Sequence, residues 1–220
     1  MGLSQRLVLF DLDGTLVDSA PGIGASTRVA VAEMGLPEPT PAQLRAMVGP
    51  PLQDGFATTF GLCGDDVDRA VLAYRACYAA GAMLDAPPHP GIPELPAQLR
   101  AEAATLAVAT SKPAEFAVQI LAHVGLFGQF AGVHGATLDG AVRHKELVVA
   151  AAAALAAHPD GERPVLVGDR AQDVFGALVH GLQCIGAGWG PAPGGELAAA
   201  GAAVVVATPA EVPAALAVLR

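Results

Sequence analysis

The sequence predicts an α/β protein: a doubly wound, Rossmann-like parallel sheet with a helical insert after its first strand. Three observations carry this reading. Short, continuously apolar runs recur along the chain, as expected of strands buried on both faces. Helix-length stretches separate most of these runs, and such alternation builds a parallel sheet covered on both sides. The stretch between Phe10 and Thr105 is too long for one crossover helix and has helical patterning of its own.

In chain order, strands are expected at residues 6–10, 105–109, 130–134, 164–167, 183–186 and 203–207. Core helices are expected near 93–103, 113–124, 145–157, 171–181 and 209–219, with Pro113 suited to a first helical turn. Within the insert, 20–34, 41–47, 52–60 and 65–83 read as helices with turn signals between them. Pro87-Pro88-His89-Pro90-Gly91 marks the return to the core. The expected division is a core of residues 1–17 and 86–220 and a helical cap domain of residues 18–85. No internal repeat is evident.

Composition narrows the class. With 53 % hydrophobic and 15 % charged residues, a chain of 220 residues can bury a substantial core and stands far from the disordered class. No uncharged apolar run reaches the ~18 residues of a membrane span. The first strand runs directly into Asp11 with no cleavage region, so a cytoplasmic location is expected. A net charge of −9 argues against a nucleic-acid backbone as partner, though a cleft can still hold a local field of the opposite sign. Cys63, Cys77 and Cys184 form no CxxC pair and read as buried thiols. Arginine outnumbers lysine ten to two, so Lys112 and Lys145 become candidates for roles arginine cannot fill.

Four segments carry chemistry. Phe10-Asp11-Leu12-Asp13-Gly14-Thr15 ends an apolar run in two aspartates two positions apart, which an extended chain points the same way. Open α/β sheets bind ligands at such strand ends. Thr110-Ser111-Lys112-Pro113 follows another strand end, where a hydroxyl suits either a phosphate oxygen or a helix cap. Lys145 opens a helix, an end that disfavours a merely structural cation. Val167-Gly168-Asp169 ends a third strand, and Asp173 lies one helical turn further on; alone, Asp169 would read as a helix cap. So many acids need a hard cation between them, and Mg²⁺ is the usual one beside phosphate.

On these motifs the chain resembles the haloacid dehalogenase superfamily, in its phosphoglycolate-phosphatase-like group with a helical cap. Asp11-Leu12-Asp13-Gly14-Thr15-Leu16-Val17-Asp18-Ser19 matches the first motif, Thr110 the second, Lys145 the third, and Gly168-Asp169 with Asp173 the fourth. The resemblance implies a Mg²⁺-dependent phosphatase acting on a small phosphorylated metabolite, as a monomer or homodimer. Asp11 would be the nucleophile and Asp13 the general acid and base. Thr110, Ser111 and Lys145 would bind phosphate, with Lys112 as the reserve cation. Asp11, the carbonyl of Asp13 and Asp169 would hold the metal, with Asp173 as a further ligand or beside it. Gly49-Pro50-Pro51 resembles the substrate loop of the cap. Asp13 argues against a dehalogenase, which protonates no alkoxide. The lysine-free insert argues against a Schiff-base phosphonate hydrolase, and the single acid after Gly168 against a phosphomutase. A receiver-type phosphoacceptor module is the other class to weigh, but its phosphoacceptor sits on a middle strand.

Overall fold

The computed structural model describes residues 6–155 and 163–219. Among these, β1 (Leu7–Phe10), β2 (Thr105–Pro113), β3 (Gly132–Ala136), β4 (Val165–Gly168), β5 (Gln183–Ala187) and β6 (Val204–Val206) form one sheet. Its order is β3-β2-β1-β4-β5-β6, and every pairing is parallel. The chain builds outward from β1 to β3, then returns to lay β4 on the other side of β1. The first strand therefore borders the switch point, where doubly wound sheets open a crevice at their carboxyl ends.

Alternate strand residues feed opposite faces, as a period of two demands. Val8, Phe10, Leu106, Val108, Val165, Val167 and Ile185 face one layer. That layer includes α5 (Leu95–Ala101), α6 (Ala114–His123) and α10 (Val212–Val218). Leu7, Leu9, Ala107, Ala109, Leu166 and Cys184 face α7 (Lys145–Ala153), α8 (Ala171–Leu178) and α9 (Glu196–Ala200). The small side chains of β2 on this second face let α7 approach the sheet closely.

Between β1 and β2 stand α1 (Ala20–Glu33), α2 (Pro41–Ala46), α3 (Leu52–Phe60) and α4 (Asp65–Ala79). An aromatic run joins them to the sheet layer. Phe56 meets Tyr74 edge-on, Tyr74 stacks on Tyr78 at 5.3 Å, and Tyr78 meets Phe116 of α6 at 5.6 Å. The outgoing and returning connections lie side by side: the Asp18 amide donates to the Pro87 carbonyl at 2.8 Å and the His89 amide to that of Leu16 at 3.1 Å.

Several boundaries differ from those the sequence predicts. The third strand spans 132–136 instead of 130–134, because Phe130 follows a 3-10 turn (Phe127–Gln129) and packs edge-on against Phe10. The second strand continues past Ala109 to Pro113, with a register shift after Thr110. The fourth insert helix stops at Ala79, and Gly81 at φ +138° leads into a separate turn, Ala82–Leu84. Helix α9 is not predicted by the sequence pattern, because Gly and Pro breakers crowd the segment before it. The last helix is preceded by its own 3-10 turn, Pro209–Glu211. Residues 156–157 of the expected 145–157 helix lie outside the described residues. All three cysteines are free, but only Cys184 is buried; Cys63 is exposed and Cys77 half-buried. Both of the latter lie on the insert, which corrects the expectation of three buried thiols. No described helix is long and apolar enough to cross a membrane.

Candidate active site

Strand register brings the chemistry together. Phe10 is level with Val108 on one side and Val167 on the other, so Asp11 emerges beside Ala109 and Gly168. The Asp11 amide continues the ladder by donating to the Val167 carbonyl at 2.9 Å. Asp11, Asp169 and Asp173 converge, each buried, with one carboxylate oxygen apiece within 4.8 Å of the others.

Lys145 is the cation of this cluster. Its Nζ lies 2.7 Å from Asp11 Oδ1, 2.7 Å from Asp173 Oδ1 and 2.6 Å from the Ala109 carbonyl oxygen. An ammonium has three N–H donors, and here each has an acceptor. Burial alone would lower the lysine's pKa; Asp11 and then Asp173 reverse this and raise it above its ordinary value. Helix α8 makes room for the stem. A Cβ on Gly176 would stand 2.8 Å from Lys145 Cγ, so a side chain there would displace the lysine.

The carboxylates are not fully compensated. Burial, opposed by Lys145 and reinforced by Asp173 and Asp13, pushes the Asp11 carboxyl up to about 6. Asp169 is also raised, first by burial and then by Asp173 and Asp11. Its Oδ1 accepts the Thr15 hydroxyl at 2.8 Å, whereas its Oδ2 is buried with no hydrogen-bond partner. A buried anionic oxygen without a partner is costly. An all-oxygen donor set with one oxygen spare fits a hard dication such as Mg²⁺.

Asp13 faces a second pocket. Its Oδ2 pairs with Lys112 Nζ at 2.9 Å, and that ammonium also donates to the Tyr78 hydroxyl at 2.6 Å. Thus Lys112 and Lys145 are not alternatives: each holds one of the two aspartates at the end of β1. Asp13, Ser111 and Lys112 line a cavity of about 50 Å³ with Gly49, Pro50 and Pro51. Arg75 from α4 and Arg143, ahead of α7, also line it. Thr110 is buried on β2, just before its register shift, and its Oγ1 accepts the Lys112 amide at 3.2 Å. Pro113, not Thr110 or Ser111, occupies the cap position of α6.

The sequence marks Thr15 only as part of the turn after Asp13, and it gives no role to Tyr78, Arg75, Arg143 or Arg170. Thr15 was within reach, since it lies in the first motif beside its partner's strand end. Tyr78 and the arginines come from the insert and from loops, and no local pattern marks them.

Fold and site together define a doubly wound α/β protein with a lysine-braced acidic site at its switch point. The chain belongs to the haloacid dehalogenase-like hydrolase family, whose model matches residues 8–187. It is 42 % identical over 189 residues to the "Tyrosine-protein kinase PtkA" of Mycobacterium tuberculosis, covering 86 % of this chain but 64 % of that protein. This chain therefore spans less than two thirds of that relative. A Pseudomonas aeruginosa protein named 5′-nucleotidase is 39 % identical over 186 residues, with 83 % of this chain and 82 % of that one covered. Among solved structures, a predicted phosphatase from Clostridium acetobutylicum superimposes with a TM-score of 0.92 at 34 % identity, over 98 % of this chain and 100 % of that one.

Proposed function

We propose that the protein is a Mg²⁺-dependent phosphatase of the phosphoglycolate-phosphatase-like group, hydrolysing small phosphate monoesters through an aspartyl phosphate on Asp11. One observation carries it: a buried carboxylate held by a lysine at a strand end, with a second carboxylate two residues on facing a separate small cavity. The first suits a nucleophile, and the second suits a proton donor to a leaving group seated in that cavity.

In this reading Asp11 attacks phosphorus, an Asp11 O–P bond forms and the ester P–O bond breaks. Asp13 gives its proton to the departing alkoxide. It then takes a proton from the water that attacks the aspartyl phosphate, which frees Asp11 and releases inorganic phosphate. Lys145 and Thr110 hold the phosphoryl oxygens in line, where positioning and charge carry most of the rate. Lys112 keeps Asp13 aimed at the cavity. Asp11, Asp169 and the Asp13 carbonyl would hold Mg²⁺, with Asp173 as a further ligand or beside it. The ion would offset part of the negative charge gathered there. Helices α1–α4 act as a cap, residues 18–85, over a core of residues 1–17 and 86–220. Gly49, Pro50 and Pro51 serve as its substrate loop. The setting is cytoplasmic, the protein a monomer or homodimer without a nucleic-acid partner.

Steady hydrolysis of p-nitrophenyl phosphate tests the reading, because a receiver-type module would be phosphorylated without turning over. EDTA should stop phosphate release and added Mg²⁺ should restore it. Full activity after exhaustive chelation would exclude the metal site.

The cavity lining favours an acidic leaving group. Among the residues lining it, Asp13 is the only acid and is already paired, whereas Arg75 and Arg143 form no salt bridge among the described residues. Arg75 donates to the Leu138 carbonyl at 2.7 Å, and its Nε is buried with no partner. A charge-assisted hydrogen bond contributes ~1.5–3 kcal/mol. Phosphoglycolate should therefore be turned over at least about tenfold more efficiently in kcat/KM than 2-hydroxyethyl phosphate, its analogue with an alcohol in place of the carboxylate. Arg75→Gln should collapse that ratio; an unchanged ratio would remove Arg75 from substrate selection.

A second reading has the kinase-named relative in its favour. A tyrosine hydroxyl, in place of water, would then accept the phosphoryl group from Asp11. Label from γ-labelled ATP appearing on tyrosine would support it.

A further inference from the structure

We infer that Arg170 is a positioning residue that ties the loop Val48-Gly49-Pro50-Pro51 to the strand end carrying Asp169. Arg170 follows Asp169 directly, in extended backbone at the cap of α8. Its amide donates to Asp173 Oδ2 at 3.0 Å, so its main chain is fixed to the acid cluster. Its side chain leaves the core in the other direction. Nε donates to Glu196 Oε1 at 3.1 Å, and the same oxygen accepts the Ala171 amide at 2.8 Å. Glu196 is thereby held at the start of α9 and orients the guanidinium. One terminal nitrogen, NH1, then donates to the Val48 carbonyl at 2.6 Å, across 122 residues of sequence.

The loop is built to be held at that point. Gly49 adopts φ +103°, and a Cβ there would stand 3.1 Å from Arg170 Cγ, so the loop lies flat along the arginine stem. Pro50 and Pro51 have no N–H and fixed φ angles, and each also restricts the residue before it. A segment this stiff moves as a unit, so anchoring the Val48 carbonyl sets where Gly49, Pro50 and Pro51 meet the Asp13 cavity. The Arg170 and Glu196 side chains are 16 % and 19 % exposed, so solvent screens the pair only in part. A planar guanidinium can serve Glu196 and Val48 at once; a lysine ammonium, lacking that fork, is a weaker substitute.

A merely structural role in capping α8 predicts something different, because it would loosen α8 and the Asp169 strand end first. Hydrogen exchange on the full chain without ligand separates the two. In Arg170→Ala, amides of Val48, Gly49 and the first turn of α3 should exchange at least about tenfold faster, with β4 unchanged. With phosphoglycolate as substrate, KM should rise about tenfold and kcat should stay within about threefold, and Arg170→Lys should recover part of the loss. The kinetic arm rests on the phosphatase reading; the exchange arm does not, so failure of one reading is distinguishable from failure of the other. Gly49→Ala pushes the loop off an intact Arg170 and should give the same signature, which keeps the test open if Arg170→Ala fails to fold. Unchanged exchange at 48–55 in both variants, or faster exchange in β4 and α8 instead, would overturn the inference. So would a loss confined to kcat.

Discussion

Asp11→Asn is expected to lower phosphate release by a factor of about 10⁴ or more while the fold stays intact, a loss of the size seen when a covalent nucleophile is removed. The amide has the carboxylate's shape and cannot attack phosphorus. Its oxygen can still accept from Lys145 Nζ, which also keeps Asp173 and the Ala109 carbonyl as acceptors. Stability should hold for a reason the site supplies. Asp11's carboxyl is raised to about 6, chiefly by burial, so above that pH the folded protein carries a charge its surroundings disfavour. An amide is neutral at every pH and avoids that cost. In metal-free buffer near pH 7.5, the melting temperature of Asp11→Asn should therefore equal or exceed that of the parent. Activity within tenfold of the parent would sink the covalent mechanism. A melting temperature many degrees lower would mean that unfolding, and not lost chemistry, explains an inactive variant.

Much of the core was legible because its signals are local. The β1 and β4 segments are four-residue apolar runs, buried throughout, that end directly in acids. Strand, turn and carboxylate therefore appear within one short window. Family membership followed from the same windows. The sequence pattern places the third strand two residues early because Phe130 is apolar, although that side chain packs edge-on against Phe10 from outside the ladder. Cys63 was misplaced for a related reason: residue type suggests burial, but the amphipathic insert leaves part of its surface to solvent. Contacts made by topology were less visible. The two lysines could be ranked only as rivals, since nothing local says that β2 brings Lys112 to Asp13 while α7 brings Lys145 to Asp11. Tyr78 and the contact of Arg170 with Val48 depend on how the insert folds back over the sheet, which no periodicity in either segment encodes.

Removing Lys145 should have the second large effect, and on two measurements at once. Lys145→Ala is expected to cost about 3 kcal/mol or more in transition-state stabilisation, by analogy with loss of one oxyanion donor. This appears as a fall of roughly 10²-fold or more in kcat/KM. The reason is charge: in the proposed mechanism the transferring phosphoryl group would meet Asp11, Asp169 and Asp173, and in this cluster Lys145 is the one ammonium in contact with two of the three. Deleting it also leaves Asp11 and Asp173 buried without their partner. Breaking a buried ion pair from one side costs about 3–5 kcal/mol, so metal-free Lys145→Ala should melt well below the parent. Added Mg²⁺ should recover part of that stability, because a cation in the cluster restores some of the missing charge, whereas kcat/KM should stay low for want of the phosphate ligand. Lys145→Arg should rescue poorly. Its guanidinium is planar and its stem must pass Gly176, where space is already tight against Lys145 Cγ. The comparison with Lys112→Met separates the two lysines: that variant loses the partner of Asp13 and should impair proton transfer to the leaving group more than binding of inorganic phosphate. If Lys145→Ala kept kcat/KM within tenfold of the parent, Lys145 would be a structural brace for Asp11 and Asp173, and phosphate binding would fall to Thr110 and Lys112.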